Sequence, residues 1–164
     1  LPEVAESIVS FGYLYSSGDK DHGSFYEGNT EGASTMFVGL TPPNLGVVFS
    51  PRLGNLMVTS LGYSIKPFSG GSSRALEEFQ TALNVLGFFR PTTGVISEVG
   101  INPASDSLYL GTEVDLALNF RPFSDLGMSL RNGIFFPNTG EDAAFLDDTR
   151  SIEYKVAFDA TFSF

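Results

Sequence analysis

The amino-acid sequence predicts an all-β, antiparallel fold, and three observations support this prediction. Apolar and polar residues alternate with a period of two along several long segments, which is the pattern of strands with one apolar and one polar face. The 164 residues include 16 Phe, 6 Tyr and 18 Gly but no Trp, a mixture that favours strands and tight turns over helices. Only residues 74–86 could also be interpreted as a helix.

The alternation predicts six long strands. In the last of them, every second residue from Ile152 to Phe164 is apolar, while the residues between are charged, small or hydroxylated. In the strand before it, Asn132 is the one polar residue on the apolar side. The predicted strands are 6–16, 53–68, 76–90, 108–121, 127–137 and 151–164.

The composition excludes several classes of function. Nine basic and 19 acidic residues give a net charge of -10, so the chain is not expected to bind nucleic acid. The absence of Cys and the single His22 exclude disulfides, thiolate metal sites, cysteine nucleophiles and multi-histidine zinc sites. No apolar run approaches the roughly 18 residues that a transmembrane helix needs.

Two features favour a transmembrane β-barrel over a soluble sandwich or lipocalin-like barrel. Four predicted strands reach the roughly ten residues with which a tilted strand spans a bilayer, whereas strands of soluble proteins average about 5–6 residues. The polar faces combine charged residues with Gly, Ala, Ser and Asn, as the lumen of a membrane barrel does, while the apolar faces would contact lipid. A soluble lipocalin-like binding protein, with apolar residues inside, is the less favoured alternative.

The C-terminal residues resemble the assembly signal of bacterial outer-membrane β-barrels, which ends in Phe after alternating apolar and aromatic residues. The residues that carry the resemblance are Tyr154, Phe158, Phe162 and Phe164. It implies a location in the bacterial outer membrane, with outer-membrane lipid and the barrel-assembly machinery as partners. An ordinary edge strand is the alternative interpretation.

The lengths of the connections agree with that resemblance. If Phe164 lies at the periplasmic end, the short connections 69–74 and 124–127 both fall in the periplasm. The three long polar connections then all lie outside the cell, which is the asymmetry of such barrels. These long loops are residues 18–52, 94–107 and 138–150.

A wider resemblance covers most of the chain loosely. Its motifs are Ser17-Gly18-Asp19, Gly54-Asn55-Leu56, residues 110–116 and residues 133–137. Together they look like the C-terminal part of alginate-export-type outer-membrane porins, which are channels of many strands. A closed bacterial barrel needs about eight strands or more, so either 34–40 and 44–50 form another hairpin or residues 1–164 are a segment of a larger barrel. Pro42, Pro43 and Pro51 favour the larger barrel.

The polar faces supply the candidate lumen-lining residues. Opposed charges on neighbouring strands would create a transverse field that orients polar solutes, or they would form a salt-bridge lattice that neutralises inward charge. The two interpretations are equally supported by the sequence. The candidate residues are Glu78, Arg90, Glu113, Asp115, Arg121, Arg131, Glu153, Lys155 and Asp159.

Neither catalysis nor a strong metal site is predicted. Glu113 and Asp115 share one face and could act as an acid–base pair, but no histidine, nucleophile or third partner accompanies them. We therefore expect a protein without enzymatic activity or cofactor. Acidic pairs in the last long loop are weak Ca²⁺ candidates, although solvated loops explain them more simply. The pairs are Glu141-Asp142 and Asp147-Asp148.

These observations predict a single β-barrel domain, or a barrel segment, that acts as a porin-like channel for passive diffusion of small polar or anionic solutes. The alternative is a plugged barrel that anchors or docks a surface or periplasmic assembly. Whether the barrel forms a homo-oligomer or has a partner chain is left open by the sequence.

Overall fold

A computed structural model of the chain describes residues 6–41, 43, 45–71, 73–102, 105–146 and 150–163. An antiparallel sheet of six long strands dominates the structure. In chain order the elements are β1 (Glu6–Ser16), β2 (His22–Ser24), β3 (Gly28–Asn29), β4 (Leu56–Lys66), α1 (Arg74–Glu77), β5 (Gln80–Phe89), β6 (Tyr109–Phe123), β7 (Leu126–Pro137) and β8 (Glu153–Phe162).

The prediction of an all-β, antiparallel fold is confirmed, with a correction at one connection. A single helical turn, α1, begins after Ser73, whose carbonyl accepts the N–H groups of Leu76 and Glu77. The strand predicted from residue 76 therefore begins at Gln80, and the helical interpretation of 74–86 is wrong beyond Glu77. Among the described residues, no helix is long and apolar enough to cross a membrane.

The six strands follow one another as neighbours in the order β1-β4-β5-β6-β7-β8. Within the described chain, β1 and β8 are each hydrogen-bonded to another long strand on one side only. The shorter connections, through α1 and through residues 124–125, lie at one end of the sheet. The three long connections lie at the other, which we call the loop end.

The register aligns the alternating apolar residues of all six strands on one face, and the other face carries large apolar side chains mainly at one end of the sheet. We call the side that carries the aligned residues the apolar face and the opposite side the polar face. One row across the sheet illustrates the alignment. The row consists of Phe11, Leu61, Val85, Val114, Ile134 and Tyr154. Many large side chains of the apolar face are exposed, from 38% for Leu116 to 81% for Tyr154.

The buried hydrophobic core lies on the polar face, at its loop end. There the long connections fold back over the strands, so that Phe49 stacks on Phe135 with ring centroids 4.3 Å apart and meets Phe88 edge-on at 4.9 Å. Ile96 and Phe145, from the other two long connections, belong to the same cluster. Loop residues and strand residues thus build one core, while the apolar face contributes little to it.

The first long connection contains the small hairpin β2–β3, which the sequence analysis did not predict. Residues 34–40 and 45–50 form no strand, so the described part of this connection contains no hairpin there. The buried carboxylate of Asp19 accepts the N–H groups of Thr35, at 2.9 Å, and of Asp21, at 3.0 Å. Donation from Thr35 and then Asp21 holds the pKa of Asp19 below its ordinary value of 3.8.

Because this pKa is lower in the folded chain, the stabilisation that Asp19 gives to the first connection is present above the ordinary pKa and is lost as the pH falls through the lowered one. We therefore expect hydrogen exchange in peptides covering 28–37, corrected for the intrinsic rate, to rise below about pH 4. Asp19→Asn should already raise this exchange at pH 7.

Asp21→Asn is the matched control, since its carboxylate makes no hydrogen bond within the described residues. Equal exchange in the two variants would contradict the role of Asp19.

Candidate functional site

Residues 45–50, which we call the inward segment, lie on the polar face and are fixed there by two carboxylates of β6. The N–H groups of Val48 and Phe49 donate to the two carboxylate oxygens of Glu113, each at 2.7 Å. The N–H group of Val47 donates to Oδ2 of Asp115 at 3.2 Å. Glu113 is fully buried as a result, and Asp115 is only 8% exposed.

Two glycines make this close approach possible. A Cβ atom at Gly46 would lie 2.5 Å from both carboxylate oxygens of Glu113. A Cβ atom at Gly133 would lie 2.6 Å from Asp115 Oδ1 and 2.8 Å from the Cβ of Val47. Side chains at these positions would push the inward segment away from the sheet, because contacts this short do not occur at real Cβ atoms.

An aromatic cluster holds the far end of the inward segment. The Arg150 guanidinium lies 5.0 Å from the ring centres of both Phe49 and Phe145, a geometry in which a cation is attracted to the ring faces. Arg150 also pairs with Glu153 at 2.8 Å and with Glu98 at 3.5 Å. Through Arg150, the second and third long connections therefore contact the inward segment, which belongs to the first long connection.

A cavity of about 280 Å³ lies on the polar face between the tip of the inward segment and strands β1, β4, β5, β6 and β7. Leu45, Gly46 and Val47 line it from the segment. Small residues of the sheet leave the space open, and a few polar side chains reach into it. The sheet residues that line it include Ser10, Gly62, Ala82, Asn84, Asp115, Ala117 and Arg131.

The structure places most of the predicted lumen-lining residues on the polar face, but it does not arrange them as two opposed rows of charge. Arg131 binds Asp159 at 2.8 Å instead of facing Glu113 or Asp115. Glu78 binds Lys66 at 2.9 Å near the α1 connection. Paired charges of this kind fit a neutralising salt-bridge lattice better than an open transverse field. Of the remaining candidates, Glu153 pairs with Arg150, Lys155 is exposed in β8, and Arg121 donates to the Ser124 carbonyl.

Arg90 is a correction to the sequence prediction, because its side chain is fully buried and does not line open space. Its three guanidinium nitrogens donate to the carbonyls of Ser107, Gly94 and Ser105 at 2.7 to 2.8 Å. The residue follows the last position of β5 at the loop end, where loop carbonyls rather than solvent surround it. Arg90 therefore organises the connection between β5 and β6.

The residues of the predicted assembly signal lie on the apolar face as far as the structure describes them. Tyr154, Phe158 and Phe162 are exposed by 81%, 64% and 64%. Phe164 lies outside the described residues. The assembly role of these residues stays a prediction.

The weak Ca²⁺ candidates are only partly described. The backbone carbonyls of Glu141 and Asp142 accept side-chain hydrogen bonds from Asn102 and Ser105. These bonds join the last long connection to the second one through its backbone. Asp147 and Asp148 lie outside the described residues. Over the described ranges, no group of three or more His, Asp or Glu side chains is arranged to hold a metal ion.

Sequence analysis missed two residues of the site, Phe49 and Arg150. Both lie in long polar connections without periodicity, so no local pattern marks them as anchors. The neighbouring Gly46 was the available signal, since a glycine beside apolar residues in a loop often marks a close approach of the backbone to other groups.

Comparison with known proteins assigns no family. The chain matches no protein-family model, and no curated protein sequence matches it at a significant level.

We expect Glu113→Gln to loosen the inward segment, because a side-chain amide offers one acceptor and places an N–H₂ group against the other backbone donor. Leaving a buried donor unsatisfied costs about 1–3 kcal/mol. Hydrogen exchange in peptides covering 45–50 should therefore accelerate, and the free energy of unfolding should fall by that amount.

The control is Glu77→Gln, which changes an exposed carboxylate at the α1 connection. Unchanged exchange at 45–50 in Glu113→Gln would mean that the hydrogen bonds to Glu113 do not hold the segment.

Proposed function

We propose that this chain forms part of the wall of a β-barrel in the bacterial outer membrane, and that the barrel is a passive diffusion channel for small polar or anionic solutes. One observation carries the proposal. Each of the six long strands presents large exposed apolar side chains on one face, while the charged and small residues lie on the other, whose large apolar side chains are mostly buried under the loops at the loop end.

The energetics of the apolar face support a hydrocarbon environment. Fully exposing a Val, Leu or Phe side chain to water costs about 1.5–3 kcal/mol relative to burying it. The exposed residues occur on every long strand, with Phe11 at 75%, Leu61 at 57% and Phe158 at 64% among them. A continuous apolar surface of this kind marks an interaction site or a membrane surface. Lipid would cover the entire face at once, as the alternating pattern of a membrane barrel requires.

The dimensions of the strands agree with a bilayer. β4 has 11 residues, which at about 3.3 Å per residue gives roughly 36 Å, or about 25 Å along the membrane normal for a tilt of about 45°. Exposed aromatic side chains occur near both ends of the apolar face, with Tyr13, Tyr15 and Phe136 towards the loop end and Phe123 and Phe162 towards the other. Aromatic residues commonly lie at the two membrane interfaces.

Closing the barrel requires more strands than the six described. A closed bacterial barrel has about eight strands or more, and both β1 and β8 have a free edge within the described chain. In the proposal, further strands join these edges and make a larger channel. The resemblance to alginate-export-type porins belongs to this proposal, since such porins are channels of many strands.

The inward segment favours a second candidate, a plugged barrel that anchors or docks another assembly. It covers part of the polar face at the loop end and joins a core with the other long connections. A lumen filled in this way would not conduct. Single-channel conductance in planar bilayers separates the two candidates, because the channel gives stepwise currents and the plugged barrel gives none.

The first test of the membrane proposal is the behaviour of the purified, folded protein in detergent. We expect the protein to require detergent for solubility and to migrate differently on a gel before and after heating. A detergent-free soluble monomer without a heat-dependent shift would overturn the proposal and favour a soluble β-protein.

A second test exploits the depth dependence that only a bilayer imposes. Leu116→Arg, in the middle of the apolar face, should destabilise the lipid-embedded protein by about 2–4 kcal/mol, whereas Phe123→Arg, at a strand end, should cost about 0–1 kcal/mol. Thr161→Arg on the polar face is the control. The measurement is the free energy of unfolding in lipid vesicles, and equal costs at Leu116 and Phe123 would argue against a bilayer around this face.

A further inference from the structure

The polar face of the sheet consists of an uncharged half and a charged half. Across the described strands, the only charged residues of β1, β4 and β5 are Glu6 and Lys66, which pair at 3.7 Å at the end opposite the loop end. The other charged residues of the long strands all lie on β6, β7 and β8, from Glu113 to Asp159. From the Glu6–Lys66 pair to the loop end, the polar face of β1, β4 and β5 is therefore uncharged.

The inward segment closes the charged half and leaves space over the uncharged half. Over β6 and β7 it contacts the sheet directly, through hydrogen bonds to Glu113 and through side chains packed against Gly133. Over β1, β4 and β5, a second cavity of about 290 Å³ adjoins the cavity of about 280 Å³ described above. Leu45 and Asn84 line both cavities. A solute on the polar face therefore has room to pass the tip of the inward segment on this side.

Neutral polar side chains line these two cavities beside bare glycine backbone. A Cβ atom at Gly62 would lie 2.4 Å from Ser10 Oγ and 2.6 Å from Asn84 Oδ1. A Cβ atom at Gly12 would lie 2.4 Å from Ser60 Oγ. Within the described part of the chain, the polar side chains of the uncharged half that line the cavities have no hydrogen-bond partner and are available to a solute. They are Ser10, Ser60, Ser64 and Asn84.

Two charged residues border the first cavity from β6 and β7, but both are engaged elsewhere. Arg131 binds Asp159 at 2.8 Å. Oδ2 of Asp115 accepts the N–H group of Val47, and its Oδ1 lies over Gly133, towards β7 and away from β4. The free hydrogen-bonding groups that a solute meets over β1, β4 and β5 are therefore neutral.

We propose that the uncharged half is the path by which solutes pass the inward segment, and that it selects neutral polyhydroxylated solutes such as sugars and sugar alcohols. Hydroxyl and amide groups both donate and accept hydrogen bonds, so they can bind each hydroxyl of a polyol in either sense. The groups are spread over neighbouring rows of the sheet, which suits a solute with many hydroxyls better than a single ion.

The same lining disfavours charged solutes. An ion that enters the two cavities gives up part of its hydration without meeting a free opposite charge, and this desolvation costs free energy. Apolar side chains complete the lining, with Leu45 in both cavities and Leu14 and Leu86 in the second. They offer contacts to the C–H groups of a sugar, which an ion surrounded by water cannot use.

The inference rests on the proposed channel, and transport of three solutes of one size tests it. Sorbitol is neutral, while gluconate carries a carboxylate and protonated glucamine an ammonium group on a polyol chain of the same length. The full chain is reconstituted in liposomes with KCl and gramicidin, so that no membrane potential builds up, and the entry of each solute is measured by mass spectrometry. We expect sorbitol to enter fastest. Entry of gluconate or glucamine as fast as that of sorbitol would overturn the inference and leave the channel intact.

A charge placed on the path should change the preference. Asn84→Asp should raise the entry of glucamine relative to sorbitol about fivefold, the factor that one added charge gives at contact distance in water. Asn84→Lys should do the same for gluconate. Thr161→Asp is the control, because it adds the same charge on the polar face of β8, outside both cavities. Equal shifts in Asn84→Asp and Thr161→Asp would contradict a path over β1, β4 and β5, and a misfolded variant cannot imitate the expected gain.

Binding in detergent distinguishes failure of this inference from failure of the proposed channel. Saturation-transfer NMR of the folded full chain should show saturable binding of sorbitol, weakened at least threefold when Ser10→Ala and Asn84→Leu are combined. Sorbitol binding of this kind without entry of any solute would overturn the channel, support the two cavities as a polyol site and favour the plugged barrel. Neither entry of any solute nor binding of sorbitol would overturn both proposals.

Discussion

The double hydrogen bond to the Glu113 carboxylate determines how the loop end of the protein is built. Two successive backbone N–H groups, of Val48 and Phe49, bind its two oxygens, so the inward segment must cross β6 at this position. Hydrogen bonds to an ionised group are roughly twice as strong as neutral ones. Because Phe49 is fixed next to them, it can stack on Phe135 and receive Arg150 on its ring. The core, the cavity and the contact between the long connections all depend on this arrangement.

The sheet separates two kinds of surroundings. On the polar face, loops cover the loop end and leave a cavity beneath it, with small residues such as Gly62, Ala82 and Ala117 along its walls. On the apolar face, large side chains project in register from all six strands and remain exposed. In an ordinary water-soluble sheet the apolar side is the one that becomes covered. Here the polar face is the covered one and the apolar face is exposed. What surrounds the apolar face therefore matters more for the function of the molecule than any single residue does.

The strands could be predicted because their signal is local, whereas the site depends on contacts between distant parts of the chain. A period of two gives both the strand and its face, and in β8 this alone sorts Tyr154, Phe158 and Phe162 to one side. The strand was extended back over the α1 turn because the alternation that Leu83 and Val85 continue already begins at Phe79. Glu113 was predicted on the correct face, yet its partners lie about 65 residues earlier in a segment without periodicity. The prediction for Arg90 failed for the same reason. Alternation gives the face on which a side chain lies, but it does not show that loop carbonyls bind the guanidinium there.

The two free edges of the sheet have a consequence for how such a protein would enter a membrane. β1 and β8 each have backbone N–H and C=O groups without a strand partner on one side within the described chain, and each unsatisfied group costs several kcal/mol in hydrocarbon. Inserting the strands one at a time would therefore be opposed at every step, although each strand alone is sufficiently apolar on one face. In the proposed outer-membrane barrel, pairing would therefore precede or accompany insertion, so that the bilayer and the neighbouring strands would together form a single cooperative folding environment.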